Sequence, residues 1–178
     1  MTFKQAPELQ TTQWLNTGGR VTLEGLRGRV VLIEAFQMLC PGCVSHGLPL
    51  AKRAAETFSI DDLVVLGLHT VFEHHAAQGT PEALAAFLHE YRIDFPVGID
   101  VPAEQGGAPM TMRAYNMQGT PTLILVDRQG RLRKQKFGME QEMSLGAEIM
   151  TLIREKHQSS KVIALPSDNC DENGCTIK

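Results

Sequence analysis

Uninterrupted apolar runs alternate along this chain with segments of helical periodicity. Residues 30–36 are apolar at nearly every position, and residues 63–68 form a second such run. Runs of this kind are typical of strands that flanking helices bury on both faces. The segment between them, from Val44 to Phe58, has helical character. A strand–helix–strand unit of this kind predicts two parallel strands.

The middle of the chain predicts a second helix and two short elements. Thr80 and Pro81 form a good helix start, because threonine caps well and proline fits the first turn. One buried face is predicted by four residues at spacings of three and four: Leu84, Phe87, Leu88 and Tyr91. We then expect a short strand over residues 95–99 and a short helix over residues 110–116.

The last third predicts a hairpin and a closing helix. Residues 122–126 read as a strand, and the turn Asp127-Arg128-Gln129-Gly130 leads back into a more polar strand that ends at Phe137. This hairpin should be antiparallel and lie at the sheet edge. The final helix, residues 140–157, carries four apolar residues along one side: Met143, Ala147, Met150 and Ile153. Near the N-terminus, residues 18–23 predict a turn into a short strand.

The composition changes after the final helix. Residues 158–178 contain a Gln-Ser-Ser breaker and a small, polar, acidic stretch. We therefore divide the chain into one domain over residues 1–157 and a C-terminal tail over residues 158–178. The alternation of strands and helices predicts the α/β class.

Charge and composition exclude several kinds of partner. The chain has 178 residues and a formal net charge of -3, which gives no reason to expect nucleic acid or an anionic membrane. Its apolar stretches are shorter than a membrane span. The N-terminal residues lack the charged start and apolar core of a signal peptide, so we expect a cytoplasmic protein. Four cysteines in a reducing compartment are more often catalytic, metal-binding or free than structural disulfides.

The stretch Cys40-Pro41-Gly42-Cys43 is the main chemical feature of the chain. It lies between the first buried strand and the helix that follows, where helical N–H groups favour a thiolate at Cys40. Pro41 suits the first helical position, because its missing N–H costs nothing there. Two thiols at this spacing predict a reversible dithiol/disulfide couple, although half of a zinc site or two inert core cysteines would show the same spacing.

This combination of features resembles the thioredoxin superfamily, and within it the TlpA/ResA and AhpC/TSA-like redoxin branch. The resemblance rests on the dithiol, on the Thr-Pro step before the hairpin, and on two short motifs, residues 6–9 (APEL) and residues 26–29 (LRGR). It implies a three-layer sandwich with helices on both faces. The central sheet would be mixed, with parallel strands and a C-terminal antiparallel hairpin.

The resemblance also implies roles for five residues. Cys40 would be the exposed nucleophile, Cys43 the buried resolving cysteine, and Thr120-Pro121 a cis-proline step whose backbone aligns a substrate chain. Glu34 matches a buried acid, which burial should push towards a higher pKa and which could accept the proton of Cys43. The alternatives are a Glu34 that reaches solvent and an ordinary trans proline.

The tail carries a second cysteine pair, Cys170 and Cys175, that belongs to no part of the family pattern. Thirteen extended residues span roughly 40 Å, which is enough to reach the dithiol. We hypothesise that this pair exchanges a disulfide with Cys40 and Cys43. The alternatives are a free tail and a metal clip in which all four cysteines are ligands.

The leading prediction is therefore a thiol–disulfide oxidoreductase. Its partners would be a protein disulfide or dithiol substrate and a dithiol electron donor, and no cofactor or metal is required. A thiol peroxidase is a second alternative, but Ile33 and Gln37 stand where those enzymes have Pro and Thr. A zinc or copper module is a third, and its candidate ligands beyond the cysteines are His46, His69, His74, His75, Met110, Met112 and Met117.

Overall fold

The structure, a computed structural model, describes residues 3–104, 106–155, 170–171 and 174–175. Its strands are β1 (Thr11–Leu15), β2 (Val30–Phe36), β3 (Leu63–His69), β4 (Val97–Asp100), β5 (Thr122–Val126), β6 (Leu132–Phe137), β7 (Cys170–Asp171) and β8 (Gly174–Cys175). Its α-helices are α1 (Leu48–Thr57), α2 (His75–Gln78), α3 (Pro81–Glu90), α4 (Met110–Ala114) and α5 (Glu142–Arg154). A π-helical turn, Cys43–Gly47, leads directly into α1.

Six strands form one mixed sheet in the order β1-β4-β3-β2-β5-β6. The two apolar runs pair in parallel, from Val30 opposite Leu63 to Phe36 opposite His69, as the strand–helix–strand pattern predicted. β5 runs antiparallel to β2, and β6 closes the hairpin at the sheet edge. The predicted α/β architecture with a C-terminal hairpin is therefore confirmed.

The two faces of β2 pack against different layers, since successive side chains point to opposite faces of a strand. Val30, Leu32 and Phe36 belong to the core shared with α1, α3 and α5. The residues between them join the core of α4 and the N-terminal segment. Glu34 lies in register with the first set, so its carboxyl points into the layer of α1.

The predicted strand near residues 18–23 is wrong, and the edge strand is β1 instead, antiparallel to β4. Leu23 and Leu26 are buried in turns rather than in a strand. The Glu8 carboxylate accepts the backbone N–H groups of Leu23 and Glu24, at 2.9 and 2.7 Å, and so fixes this turn.

The helices follow the prediction at their starts more closely than in their buried faces. The Thr80 side chain caps α3 by accepting the Ala83 N–H at 3.2 Å. In α5 the buried residues are Leu145, Ile149 and Leu152. The side that carries Met143 and Met150 is largely exposed, because a second apolar stripe on the same helix packs against the sheet.

Most of the predicted tail lies outside the described residues. What is described is one two-stranded hairpin, in which Cys170 pairs with Cys175 and Asp171 with Gly174. The domain boundary after residue 157 stays a prediction. Among the described helices, none has the length and apolar character needed to cross a bilayer.

Candidate active site

The fold places the two core cysteines at the C-terminal end of β2, where the chain enters the π-turn. Cys40 and Cys43 form a disulfide with Cα atoms 5.2 Å apart, within the usual range of roughly 4.4–6.8 Å. Cys43 is fully buried, whereas Cys40 is partly exposed. An incoming thiolate can therefore reach only the sulfur of Cys40.

The surroundings of Cys40 suit a sulfur that carries charge. The backbone N–H of Cys43 donates to Cys40 Sγ at 3.2 Å. The Val44 N–H donates to the Cys40 carbonyl at 3.1 Å and so begins the helix. A helix N-terminus with an N–H aimed at sulfur stabilises the thiolate, both as nucleophile and as leaving group.

The loop before β5 packs against the dithiol. The Thr120–Pro121 peptide bond is cis, as expected from the sequence. The Thr120 carbonyl oxygen lies 3.5 Å from Cys40 Sγ. A Cβ on Gly42 would lie 3.3 Å from Pro121 Cδ, so the loop and the dithiol turn are in close contact. The N–H of Gly138 donates to the Pro121 carbonyl at 2.8 Å and ties this loop to the end of β6.

Glu34 is buried beneath the site. Its side chain is 1% exposed, and its Oε1 atom has no hydrogen-bond partner. Burial raises the pKa of Glu34 to about 8, because an unpaired carboxylate is poorly solvated there. The alternative in which Glu34 reaches solvent is therefore wrong.

Two buried amides, Gln37 and Gln78, hold the loop before Cys40. Gln78 Oε1 accepts the Leu39 N–H at 3.1 Å, and Gln78 Nε2 donates to Gln37 Oε1 at 3.1 Å. The Cys40 N–H in turn donates to the Gln37 carbonyl at 3.3 Å. Gln37 thus has a structural role at the position where a peroxidase has threonine. No sequence signal marked Gln78, which lies on a single-turn helix.

The residues considered as metal ligands do not gather around the dithiol. Three of the histidines are exposed: His46, His74 and His75. His69 is buried against the ring of Phe36, and Met112 and Met117 are packing residues of the core. Within the described parts of the chain, no group of three or more His, Cys, Asp or Glu side chains could hold a metal ion.

The fold and its CPGC disulfide define the class: a thioredoxin-like protein with the site of a thiol–disulfide oxidoreductase. The AhpC/TSA family pattern matches residues 3–135, and the chain belongs to that family.

Solved structures agree with this assignment. The crystal structure of the thioredoxin-like superfamily protein SPOA0173 has a TM-score of 0.83 and 58% identity, covering 86% of this chain and 98% of that one. A thiol-disulfide isomerase from Corynebacterium glutamicum has a TM-score of 0.80 and 45% identity, covering 85% and 98%.

Curated relatives are more distant. Protein DipZ of Mycobacterium bovis and of Mycobacterium tuberculosis is 30% identical over 136 residues, or 75% of this chain. The chain spans only 18% of the length of those proteins.

Proposed function

We propose that this protein exchanges disulfides with polypeptide substrates, with Cys40 as the nucleophile and Cys43 as the resolving cysteine. The observation that carries the proposal is the asymmetry of the pair. Cys40 is partly exposed and receives an N–H at its sulfur, whereas Cys43 is fully buried. A substrate can therefore react with Cys40, while buried Cys43 can attack the mixed disulfide that forms at Cys40.

A substrate thiolate attacks Cys40 Sγ, the Cys40–Cys43 bond breaks, and a mixed disulfide forms between the substrate and Cys40. The Cys43 thiolate that leaves takes one proton. In the reverse step Cys43 loses that proton, attacks Cys40 Sγ, and releases the substrate as a thiolate.

We assign the movement of this proton to Glu34. In the disulfide form the buried carboxyl favours its protonated state, since burial raises its pKa to about 8. It is therefore able to give a proton to the Cys43 sulfur when the disulfide opens, and to take it back when the disulfide closes. Cys43 itself is closed to solvent, so a buried donor is needed.

The substrate chain would lie along the Thr120–Pro121 loop. Exposed apolar side chains stand at both sides of the site: Leu39 is 55% exposed, Phe137 52% and Met139 63%. Such exposure next to a reactive sulfur suits an extended, apolar peptide segment around the substrate cysteine. The electron donor or acceptor would be a second dithiol protein.

The test is a redox titration of the native protein, with alkylation and peptide mass spectrometry of every cysteine. We expect Cys40 and Cys43 to titrate as one two-electron couple, roughly between -270 and -120 mV. The Cys43→Ser variant should accumulate a mixed disulfide at Cys40, and Cys40→Ser should not. Cysteines that resist alkylation until a chelator is added, or rapid consumption of hydrogen peroxide, would contradict the proposal.

We further propose that Cys170 and Cys175 form a second couple that exchanges with the first. In their hairpin the two residues stand directly opposite each other. Opposed residues of antiparallel strands have Cα atoms about 4.5–5.5 Å apart, within the range of a disulfide. The exchange would reduce the disulfide of one pair and oxidise the dithiol of the other, with no net gain or loss of electrons.

The relay is tested with the Cys170→Ser/Cys175→Ser variant. If the relay operates, turnover of a protein substrate falls while the Cys40–Cys43 potential is unchanged. A Cys43→Ser background should trap a disulfide between Cys40 and a tail cysteine. Unchanged turnover would refute the relay and leave the core mechanism intact. The cytoplasmic location also stays a proposal, which cell fractionation would test.

A further inference from the structure

Gly47, at the end of the π-turn, is a glycine that the backbone does not require. Its φ of -60° and ψ of -56° are ordinary right-handed helical values that any residue adopts. Glycine in a helix is less stable than alanine, because it loses more conformational freedom on folding. The reason for a glycine here must therefore be space.

The space at Gly47 is taken by Glu34. A Cβ at position 47 would lie 3.0 Å from Glu34 Cδ, and closer still to Oε1. It would also lie 3.2 Å from the Cβ of Pro121. Carbon atoms in contact prefer separations of about 3.5–4.0 Å, so the carboxyl would have to move.

Any movement of the Glu34 carboxyl would have to come from its side chain. Glu34 sits in the central strand β2, paired with Gly67 of β3 on one side and Leu123 of β5 on the other. Its backbone is therefore fixed by two neighbouring strands. Oε1 makes no hydrogen bond, so the position of this oxygen depends on the packing around it.

A wide turn of the backbone places Gly47 beside the carboxyl. The N–H of Leu48 donates to the carbonyl of Cys43, a span of five residues instead of the four of an α-helix. π-turns of this kind recur at functional sites. Here the turn has the resolving cysteine at its first residue and the gap for the carboxyl at its last.

We propose that Gly47 is a positioning residue that, by lacking a Cβ, leaves the space that holds the Glu34 carboxyl beside the turn of the resolving cysteine. This inference rests on the proposed role of Glu34 as the proton carrier. Gly47 takes no part in the chemistry itself.

The test separates formation of the mixed disulfide from its resolution. The Cys170→Ser/Cys175→Ser variant, in which Cys40 and Cys43 are the only thiols, is fully reduced and mixed with excess of an aromatic disulfide, and thiol release is followed by stopped flow from pH 5 to 10. The first thiol reports attack by Cys40, and the second reports attack by Cys43. We expect Glu34→Gln and Gly47→Ala both to slow the second release by about tenfold or more and to flatten its pH profile. The first release should be unchanged.

Two further variants make the result specific. Gly146→Ala on α5 is the matched control, because a Cβ there meets nothing within 4 Å, and it should behave as the native protein. In the Glu34→Ala background the carboxyl is gone, so adding Gly47→Ala should lower the thermal midpoint much less than it does alone.

The outcomes are distinct. If Glu34→Gln slows resolution and Gly47→Ala does not, Gly47 has no positioning role while the proposed function stands. If neither slows resolution, the role of Glu34 is refuted and this inference with it. If Gly47→Ala is equally destabilising with and without Glu34, the conflict is with Pro121 and the inference is overturned.

Discussion

Replacing Glu34 by glutamine should make the oxidised protein more stable, by an amount that grows with pH. The buried carboxyl has a pKa of about 8 when folded and 4.5 as its ordinary value. Between these two values the unfolded chain is ionised at this position while the folded chain keeps its proton. Stability then falls as pH rises, because the folded state binds more protons.

The magnitude follows from the width of that window. Each unit of pKa difference corresponds to about 1.4 kcal/mol, so a window from 4.5 to about 8 gives about 5 kcal/mol in total. Glutamine has nearly the same shape and does not ionise. The gain in unfolding free energy on Glu34→Gln should be constant below pH 4.5, rise by about 1.4 kcal/mol per pH unit, and level off above pH 8.

The assay is urea unfolding of the oxidised protein, followed by far-UV circular dichroism at half-unit steps from pH 4 to 9. The disulfide form is used so that Cys40 and Cys43 do not titrate. Gly146→Ala on α5 is the control, because it removes no titratable group and its Cβ meets nothing within 4 Å, and its difference from the native protein should not depend on pH. A Glu34→Gln difference that stays constant from pH 5 to 8, or that falls, would refute the assignment of a buried, unpaired carboxyl.

Three other predictions concern stability. His69 shows the opposite dependence, because burial lowers its pKa from 6.5 to about 4. The native protein should therefore lose about 3 kcal/mol of unfolding free energy between pH 6.5 and 4. In urea unfolding, His69→Gln should not show this loss. Asp127 is buried, which by itself raises its pKa, but hydrogen bonds from Arg131 and Arg133 outweigh burial and lower it. Asp127→Asn should cost about 1–3 kcal/mol near pH 7, a loss that shrinks in acid as the native carboxylate is protonated. Gly67→Ala should lower the free energy of unfolding by about 1–3 kcal/mol, because its Cβ would lie 2.9 Å from Val97; an unchanged midpoint in the same assay would contradict this packing.

The elements that the sequence predicted well are those whose pattern is local and strong. β2 and β3 are continuous apolar runs with both faces covered. α3 begins after Thr80, whose side chain caps the N–H of Ala83, only three residues further along the chain. β1 escaped prediction because it is an edge strand whose residues are only half-buried or exposed. A strand with no buried face shows little alternation of apolar and polar residues.

Some residues of the site could be predicted and others could not, because only some of them belong to a local sequence pattern. Cys40, Cys43 and Pro121 belong to short motifs, and Glu34 was visible as a charge in an apolar run. Gln78 acts on the site through contacts with Gln37 and Leu39, which lie 41 and 39 positions away in the sequence. Such a pairing leaves no local pattern, because it depends on where the loops meet after folding.

The stability cost of Glu34 is itself an argument about its function. A leucine or methionine at this position would suit the surrounding core and remove the unpaired oxygen. The packing around the carboxyl also includes a glycine in a helix, a second unfavourable choice for stability. Glu34 and Gly47 each lower stability, and Gly47 leaves the space that the Glu34 carboxyl occupies. Such a pair is typical of a site where structure is adapted to chemistry. The pH dependence of unfolding and of disulfide resolution should therefore lead back to the same carboxyl, with Glu34→Gln raising stability in the variant that slows the exchange.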